Sequence, residues 1–555
     1  MEQKITARCL DCNQETSYQF DQPACPNCGS LWREAVYDYS SISLNAISDW
    51  QERPFDLWRY RELLPVTSDI AEVYLGEGGT PLIKANNLGT MIGCKNIFIK
   101  DERQGPTASF KDRQAAVTIA ALKEAGINEM VVASTGNVAI AYSAYAARVG
   151  VKLWAFLTSL VPAEKMREVA IYGTQVIKVT GSYDQTKKIA SEFAAQKNIH
   201  NDLGARSIPC VEAMKTIAFE IAEQLANAMG SKPSFPLCAP DWYIQAVSGG
   251  MGPLGVLKGF MELKKMNLID RIPKIAVIQA EGCAPMVQAW QQNLETAQPI
   301  SNPKTLIETL ATGDPGRSYT ILRQRMLENS GGAFVSSSDE ETFRAIHLLA
   351  KMEGLSVEPA AAVAISGLIR MVRNGQILPE DVVVVNITGH TFPIESAILG
   401  ENWSHDIDLA HPALQESQEE GLLAALSKVG SDRYPRILIV DDIPEARQLL
   451  RRILQSQGNF ILFEASNGRE CVELAINEKP NLILLDLMMP EMDGFAVMDA
   501  LQKNKDTCEI PIVVVTAKEL TTQEKHRLQG RIHKLLQKGD FLSDDIQNEV
   551  RSLLD

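Results

Sequence analysis

One lysine stands in an unusual local setting. The stretch GPTASFKDRQAAV, residues 105–117, opens with a Gly-Pro turn and brings Lys111 directly after Phe110, at the start of a predicted helix. An amine in such a setting can act as a nucleophile and hold a carbonyl cofactor as a Schiff base. The alternative is an ordinary lysine in the first turn of a helix. The choice between the two depends on which other groups the fold brings to this amine.

Three glycine-containing turns follow predicted strands, and they carry the sequences ASTGNVA (133–139), AVSGGMGPLG (246–255) and VVVVNITGHTFP (382–393). Glycines at the end of a strand let backbone N–H groups surround an anion. Each turn is a weak signal by itself, because such turns are common for steric reasons. Together with the amine of Lys111 they provide the amide of Asn137, a phosphate-binding loop and the hydroxyl of Thr388. A pyridoxal phosphate site needs this set of groups.

Strands and helices alternate through this part of the chain. Short apolar runs such as NIFIK (96–100), EMVVAS (129–134) and KLWAFLT (152–158) are separated by amphipathic or alanine-rich stretches. This rhythm predicts an α/β fold with parallel sheets covered by helices. In such folds, cofactors bind at the turns that follow the strands.

Four cysteines near the beginning of the chain form a metal-binding pattern. The pairs CLDC and CPNC place Cys9, Cys12, Cys25 and Cys28 in a CxxC–x12–CxxC arrangement. Two such pairs can supply four thiolates to a structural Zn²⁺, and four thiolates leave no open position for catalysis. The alternative is a ribbon that keeps its fold without metal. The other six cysteines lack this spacing and are expected to be buried thiols.

A second alternating pattern begins near residue 435, after an acidic stretch that reads as a linker. Its five strand–helix repeats predict a doubly wound unit, with acidic residues at the strand ends. Three carboxylates meeting at one sheet edge repel one another unless a divalent cation neutralises them, and oxygen ligands suit Mg²⁺. The residues concerned are Asp441, Asp442 and Asp486.

Composition excludes several classes of protein. The formal net charge is −15, which argues against a general nucleic-acid binder because such proteins need a basic face. We find no apolar run of transmembrane length and no apolar stretch of a signal peptide near the first residue, so the expectation is a cytoplasmic protein that does not bind membranes. The length predicts several domains.

Residues 1–404 resemble the threonine synthase family of fold type II pyridoxal-phosphate enzymes, whose catalytic domain has two lobes like the tryptophan synthase β chain. The phrases that carry the resemblance are the cysteine ribbon, WRYRELLPV, LGEGGTPLIKANNLG, IKDERQGPTASFKDR, ASTGNVAIAYSAYAAR, KMREVAIYGTQVIKVTGSYD, MKTIAFEIAEQL and VEPAAAVAISGLIRMV. The resemblance implies that Lys111 is the Schiff-base lysine and later a general base. It also implies that the enzyme converts O-phosphohomoserine and water to threonine and phosphate. A homodimer is the oligomeric state that the resemblance implies.

The same resemblance implies the other cofactor contacts. Phe110 flanks the cofactor ring, Asn137 bonds its hydroxyl oxygen and Thr388 faces its pyridine nitrogen. The 5′-phosphate is bound by Ser248, Gly249, Gly250, Met251 and Gly252.

Two departures from the family pattern concern the substrate. Where the family has Asn-Pro-x-Arg before its Lys-Thr, this chain reads SIPCVEAMKT, with Ser207 and Cys210 at the asparagine and arginine positions. A neutral thiol does not replace a guanidinium that binds a phosphate. Arg206 or Lys165 could compensate. The family's TGHGLKD is also replaced by TGHTFPIE.

Residues 435–555 resemble response-regulator receiver domains. The resemblance implies that Asp486 accepts a phosphoryl group from a histidine kinase or phosphotransfer protein. It implies a Mg²⁺ ion bound by Asp441, Asp442, Asp486 and the carbonyl of Met488, with Thr516 and Lys538 at the phosphoryl group. The usual aromatic switch position holds Leu535, and Gly539 replaces the usual proline. A pseudo-receiver that takes no phosphate is the alternative.

The predicted organisation is a zinc ribbon at 1–40, a catalytic domain at 41–404, an acidic linker at 405–434 and a (βα)5 receiver domain at 435–555. Three functions remain open at this point. The first is a lyase of the threonine synthase type that the receiver regulates. The second is a related enzyme that performs β-replacement or dehydration on another amino acid. The third is a non-catalytic signalling protein that senses pyridoxal phosphate or an amino acid.

Overall fold

A computed structural model describes residues 5–43, 46–67, 72–134, 136–158, 161–180, 182–230, 235–390, 435–455, 460–516, 520–528, 530–537 and 553. The chain divides into two compact units. One consists of Met1–Asn86, Cys94–Ile346 and Ser356–Ile394, and the other of Asn87–Gly93, His347–Leu355 and Glu395–Asp555. The predicted linker at 405–434 lies outside the described residues.

A small antiparallel sheet opens the first unit. Its strands are β1 (Thr6–Cys9), β2 (Glu15–Ser17) and β3 (Arg33–Val36), in the order β2-β1-β3. Cys9 is the last residue of β1, and the connections beside the strands carry Cys12, Cys25 and Cys28. The buried side chains of Ala7 and Ala35 belong to the large hydrophobic core of the unit, so this sheet is not a separate body.

Two further sheets form the frame of the first unit. The strands are β4 (Leu82–Lys84), β5 (Asn96–Asp101), β6 (Glu129–Ser134), β7 (Lys152–Thr158), β8 (Gln175–Val179), β9 (His200–Asn201), β10 (Trp242–Ala246), β11 (Lys274–Ala280), β12 (Gly332–Ser337) and β13 (Val382–Ile387). One sheet has the order β12-β11-β10-β13-β5-β4 and the other β8-β7-β6-β9. Buried apolar strands of this kind need cover on both faces.

The predicted parallel arrangement holds in both sheets except at one edge, where β4 pairs antiparallel with β5. Residues 85–95, which connect these two strands, are too few for a parallel crossover. The predicted strands at 129–134 and 152–158 have the same bounds in the structure, and that at 96–100 extends by one residue to Asp101.

The helices lie between the strands in sequence. They are α1 (Tyr39–Ser43), α2 (Ala46–Gln51), α3 (Asn86–Ile92), α4 (Lys111–Glu124), α5 (Asn137–Val149), α6 (Ala163–Ile171), α7 (Tyr183–Lys197), α8 (Ile208–Met229), α9 (Met251–Lys265), α10 (Pro285–Gln291), α11 (Ser318–Glu328), α12 (Asp339–Glu353) and α13 (Pro359–Arg373). Helix α8 is buried along most of its length and packs on α4 and α9. Short 3₁₀ segments occur at Leu57–Leu63, Glu102–Gln104, Gly204–Arg206, Glu281–Cys283 and Glu308–Leu310.

The second unit contains a five-stranded parallel sheet. Its strands are β14 (Arg436–Val440), β15 (Ile461–Ala465), β16 (Leu482–Leu485), β17 (Ile512–Thr516) and β18 (Lys534–Gln537). Its helices are α14 (Pro444–Gln455), α15 (Gly468–Glu478), α16 (Gly494–Lys503) and α17 (Thr522–Leu528). The strand order β15-β14-β16-β17-β18 is that of a doubly wound fold, whose ligands bind beyond the carboxyl ends of the strands.

Among the residues that the structure describes, no helix has both the length and the apolar character needed to cross a membrane.

Candidate active site

A cavity of about 610 Å³ lies in the first unit, where the turns after several strands of both sheets meet. Lys111, Asn137 and Thr388 line it, as does the whole turn Ser248–Gly252. These groups come from four separate stretches of the chain. The fold therefore brings together the amine, the amide, the glycine turn and the hydroxyl that the sequence analysis selected.

Lys111 is the first residue of α4, and its ammonium lies 4.3 Å from the ring centroid of Phe110. The backbone N–H of Phe110 donates to the carbonyl of Thr388 over 2.9 Å, and Ser109 pairs with Gly389. These bonds fix the start of the helix to the end of β13. The location of Lys111 is thus set by the backbone on both sides of the cavity.

The amine of Lys111 is easier to deprotonate than an ordinary lysine. Burial lowers the pKa of this ammonium to about 8, while the carboxylates of Asp202 and Glu358 act in the opposite direction. A substantial fraction of the amine is therefore neutral near physiological pH. A neutral amine is the form that attacks a carbonyl or accepts a proton.

The glycine turn is shaped to receive an anion. Gly250 has φ +84°, and a side-chain Cβ there would lie 2.9 Å from the Cε of Met286, so only glycine fits without strain. Helix α9 begins at the next residue, Met251, and directs its free N–H groups and positive dipole end toward the turn. The Ser248 hydroxyl is hydrogen-bonded to that of Thr312.

Asn137 is the first residue of α5 and contacts two charged side chains. Its Nδ2 donates to the Glu358 oxygens over 2.8 and 3.1 Å, and its Oδ1 accepts from the ammonium of Lys165 over 3.1 Å. The Lys165 ammonium lies 3.4 Å from the Glu358 carboxylate. Both charged side chains are buried. The amide therefore has a fixed orientation at the edge of the cavity.

The four cysteines of the first sheet form a compact cluster, with all four sulfur atoms within 4.8 Å of one another. The Cys9 and Cys28 sulfurs are 3.5 Å apart, and those of Cys12 and Cys25 are 3.6 Å apart. A tetrahedral Zn²⁺ with bonds of about 2.3 Å places its sulfur ligands roughly 3.8 Å from each other. The cluster therefore has the size of a four-thiolate zinc site.

The carboxylates of the second unit also converge. Oxygens of Asp441, Asp442 and Asp486 lie within 4.8 Å of one another, and both Asp441 and Asp486 are buried. Thr516 is buried at the end of β17, and the backbone N–H of Met488 donates to Asp486 Oδ1 over 3.2 Å. Lys538, the remaining predicted member of this site, lies outside the described residues.

Comparison with known proteins agrees with both assignments. Residues 73–389 match the family described as pyridoxal-phosphate dependent enzyme, and residues 437–551 match the response regulator receiver domain. The chain belongs to the pyridoxal-phosphate dependent enzymes. It carries a receiver domain as well.

The enzyme is similar over most of its first unit to proteins named threonine synthase. That of Methanosarcina acetivorans is 33% identical over 384 residues, which cover 69% of this chain and 91% of the relative. That of Methanocaldococcus jannaschii is 35% identical, with coverage of 69% and 91%. Diaminopropionate ammonia lyase from Escherichia coli shares the fold at 16% identity and a TM-score of 0.50, over 60% of this chain and 88% of that one.

The enzyme's Cys210 lies close to the cavity but below its surface. Its sulfur is 3.4 Å from the hydroxyls of Thr118 and Tyr142 and 3.5 Å from the Asp202 carboxylate. Burial raises the pKa of this thiol to about 12, so it is neutral. Asp202 itself lines the cavity. On this side the cavity therefore meets the carboxylate of Asp202, with the thiol and the two hydroxyls packed behind it.

The two cations considered as replacements for the family arginine are in different places. Arg206 lines the cavity, whereas Lys165 is bound to Asn137 and Glu358.

Sequence reasoning missed the contacts of Glu358, although a charged residue directly before a helix-starting proline was a possible signal. It also missed Trp32 and Arg317, which line the cavity. Neither residue lies in one of the glycine-containing turns from which the sequence analysis selected site residues.

Proposed function

We propose that this enzyme is a lyase of the threonine synthase type, which converts O-phosphohomoserine and water to threonine and phosphate. The observation that carries the proposal is the common cavity of Lys111, Asn137, Thr388 and the Ser248–Gly252 turn. Family membership and the similarity to proteins named threonine synthase support it.

The residues of the cavity fit pyridoxal phosphate. Lys111 would hold the cofactor covalently, Phe110 would flank its ring, and Asn137 would donate to its hydroxyl oxygen. Thr388 would face the pyridine nitrogen as a neutral hydroxyl, which suits elimination and replacement chemistry. The 5′-phosphate would lie against the turn formed by Ser248, Gly249, Gly250, Met251 and Gly252.

When bound, the cofactor supplies an electron sink for carbanion chemistry at the substrate amino acid. The chain supplies the proton transfers. The Nζ of Lys111, with a pKa of about 8, can take a proton from carbon and return it at neutral pH, because its two protonation states are close in free energy. Burial of the amine brings the free energies of its two protonation states close together, because it disfavours the charged form.

The side chains of Asp202 and Cys210 favour a second candidate class of substrate. Asp202 lines the cavity, and the thiol that stands at the family's arginine position is neutral and buried. A carboxylate repels a phosphate dianion, whereas it tolerates a hydroxyl or an amine. This favours β-replacement or dehydration of an uncharged amino acid such as serine. Cations that line the cavity, Arg206 and Arg317 among them, support the phosphorylated substrate.

Product analysis separates these two candidates. The full-length protein, loaded with pyridoxal phosphate, is incubated in turn with O-phosphohomoserine, homoserine, serine and phosphoserine. Threonine and inorganic phosphate from the first substrate support the proposal. Absence of threonine, with pyruvate formed from serine, overturns it in favour of the second candidate.

A spectrum tests the covalent role of Lys111. The loaded wild type is expected to show a visible absorption band that Lys111→Ala lacks. Lys123→Ala, near the other end of the same helix, is the matched control and should keep the band. A band of equal strength in Lys111→Ala would remove the assignment of this lysine.

The remaining parts of the molecule complete the proposal. Cys9, Cys12, Cys25 and Cys28 would bind one structural Zn²⁺, and the sulfur separations support this. Asp441, Asp442, Asp486 and the Met488 carbonyl would bind Mg²⁺, with Thr516 and Lys538 contacting a phosphoryl group on Asp486. Phosphorylation by a histidine kinase or phosphotransfer protein would regulate the catalytic domain. We propose that the protein is a cytoplasmic homodimer. Elemental analysis of the purified protein tests for Zn²⁺, and sedimentation tests the oligomeric state.

A further inference from the structure

Three charged or polar side chains from different parts of the first unit meet beside the cavity. Asn137 begins α5, Lys165 lies in the first turn of α6, and Glu358 directly precedes α13. Helices α5 and α6 connect strands of the four-stranded sheet, whereas α13 packs on the six-stranded sheet. The cluster therefore bridges the two sheets of the unit.

We propose that Lys165 and Glu358 are positioning residues, which form an ion pair that orients the Asn137 amide toward the cofactor and sets the charge beside the cofactor ring. This inference rests on the proposed cofactor site. It adds two residues that do not themselves have to touch the cofactor.

Hydrogen-bond polarity permits one orientation of the amide. Lys165 only donates and the Glu358 carboxylate only accepts. The observed arrangement sets Oδ1 of Asn137 against the ammonium and Nδ2 against the carboxylate. The flipped amide would place donor against donor and acceptor against acceptor. Nδ2 has two hydrogens, and one of them, shared between the two oxygens of Glu358, leaves the other for an acceptor in the cavity.

Close packing keeps the cluster in place. A Cβ on Gly389 would lie 2.7 Å from Glu358 Oε1 and 3.2 Å from Asn137 Nδ2, so a larger residue there would displace the carboxylate from its present position. The N–H of Glu358 also donates to the carbonyl of Gly389 over 3.3 Å. Lys165 and Glu358 retain only 8% and 4% of their side-chain exposure, so water screens their charges weakly.

The two charges act in opposite directions on a protonated Schiff base nearby. The ammonium of Lys165 disfavours a positive charge in the cavity, and the carboxylate of Glu358 favours one. Other titratable or charged groups around the pair also contribute to this field; they are Lys111, Asp202, Glu168 and His390, with Arg103 and Asp101 beside His390. These groups are unchanged in the variants below, so differences between variants report the pair.

The test measures the pH midpoint of the cofactor's visible absorption band in the loaded full-length protein. Lys165→Gln is expected to raise the midpoint, and Glu358→Gln to lower it, each by roughly one pH unit. The double variant, which removes both charges, should return close to wild type. Lys165→Arg keeps the positive charge and the hydrogen-bond donor, so its midpoint should stay within a few tenths of a pH unit of the wild-type value. A purely structural role of the pair cannot produce shifts of opposite sign.

The orientation of the amide has its own measurement. Lys165→Met removes the donor as well as the charge and is expected to speed dissociation of the cofactor about tenfold more than Lys165→Gln, because the glutamine can still donate to Oδ1 of Asn137. If Lys165→Met unfolds the chain, the Glu358→Gln and Lys165→Gln midpoints still decide the proposal.

The possible failures are distinguishable. A wild type that shows no visible band overturns the proposed function, and this inference with it. A wild-type band whose midpoint stays the same in both single variants, or moves in the same direction in both, overturns this inference alone.

Discussion

The guanidinium of Arg113 lies 2.5 Å from the carboxylate of Glu220, and both side chains are buried. Glu220 also accepts from the ammonium of Lys100 over 2.6 Å. Arg113 follows Lys111 on α4, while Glu220 lies on α8, the helix that carries Cys210 near its start. This pair thus ties the helix that begins at Lys111 to the helix that carries Cys210.

Removal of the shared carboxylate should destabilise the first unit strongly. Glu220→Gln leaves Arg113 and Lys100 without their common anion, and the expected loss is about 3–5 kcal/mol of the free energy of unfolding. Glu340→Gln breaks an exposed pair with Arg344 and should cost less than about 1 kcal/mol. Urea unfolding followed by tryptophan fluorescence measures both. Equal losses in the two variants would contradict the prediction.

The ion pairs of Glu220 make the stability difference between wild type and Glu220→Gln depend on pH. Burial alone would raise the pKa of Glu220, but the charges of Arg113 and Lys100 lower it to about 2. A carboxyl with a depressed pKa stabilises the fold above its unfolded pKa and loses this contribution as the pH falls through the folded value. The stability difference between wild type and Glu220→Gln should therefore be constant above about pH 5 and shrink toward pH 2.

Capture of the cofactor should follow the protonation of Lys111. The neutral amine attacks the aldehyde, and burial lowers the pKa of this ammonium to about 8. The rate at which cofactor-free protein regains its visible band should therefore rise about tenfold per pH unit below pH 7 and level off above pH 9. Stopped-flow absorbance measures the rate. A plateau near pH 10.5, the ordinary range for lysine, would show that the amine is not shifted.

Cys210 should be chemically silent in the folded protein. Its thiol is fully buried and its pKa is raised to about 12, so almost no reactive thiolate is present at pH 8. Cys508, which the sequence analysis expected to be buried, is exposed and serves as the internal control. Brief treatment with iodoacetamide, followed by mass spectrometry, should label Cys508 and leave Cys210 unmodified until the protein is denatured. Comparable labelling of both in the native protein would contradict this assignment.

Local sequence explains much of the site. Lys111, Asn137 and Gly250 occur in short stretches whose residue types already suggest an amine, an amide and an anion-binding turn, and each stretch lies at the end of a strand. The rule that parallel strands present their carboxyl ends at one edge then predicts that the stretches of Lys111 and Gly250, which follow strands of one sheet, lie at the same edge. Asn137 follows a strand of the other sheet, so its place in the cavity depends on how the two sheets pack. The bounds of β6 and β7 were also predictable, because each is a short apolar run between turns.

Contacts between distant elements were not predictable in the same way. The bond between Asn137 and Glu358 joins residues 221 positions apart, and it depends on how the two sheets pack. The sequence offered Lys165 only as a possible phosphate ligand. The antiparallel edge strand β4 was missed because the number of residues before β5, and not their type, decides its direction.

Phosphorylation should occur at Asp486 and require the neighbouring carboxylates. Acetyl phosphate with Mg²⁺ is expected to phosphorylate the full-length protein, because the cation offsets the charge of the three acidic groups during the transfer. The phosphorylated protein should be retarded on a phosphate-affinity gel. Asp486→Ala should abolish the shift. Asp493→Asn changes an acidic residue that caps α16 outside the cluster, and it should retain the shift. A shift in Asp486→Ala would reject this residue as the acceptor.

The cysteine ribbon should influence substrate binding through two residues that line the cavity. Arg317 lies 2.6 Å from Asp11, between the first two cysteines, and its guanidinium is 5.7 Å from the ring centroid of Trp32. Both Arg317 and Trp32 line the cavity. Loss of the proposed Zn²⁺ from the ribbon would release the loop that holds Asp11, and with it the orientation of Arg317.

Asp11→Asn should therefore raise KM for O-phosphohomoserine by less than about fivefold, since the pair is partly exposed and contributes under about 1 kcal/mol. Metal removal by a chelator should raise KM further, because it displaces Trp32 as well. Arg8→Gln breaks another pair of the ribbon, with Glu34, away from the cavity, and should leave KM unchanged. An unaltered KM after complete loss of the metal, measured by elemental analysis on the same sample, would show that the ribbon does not act on the cavity.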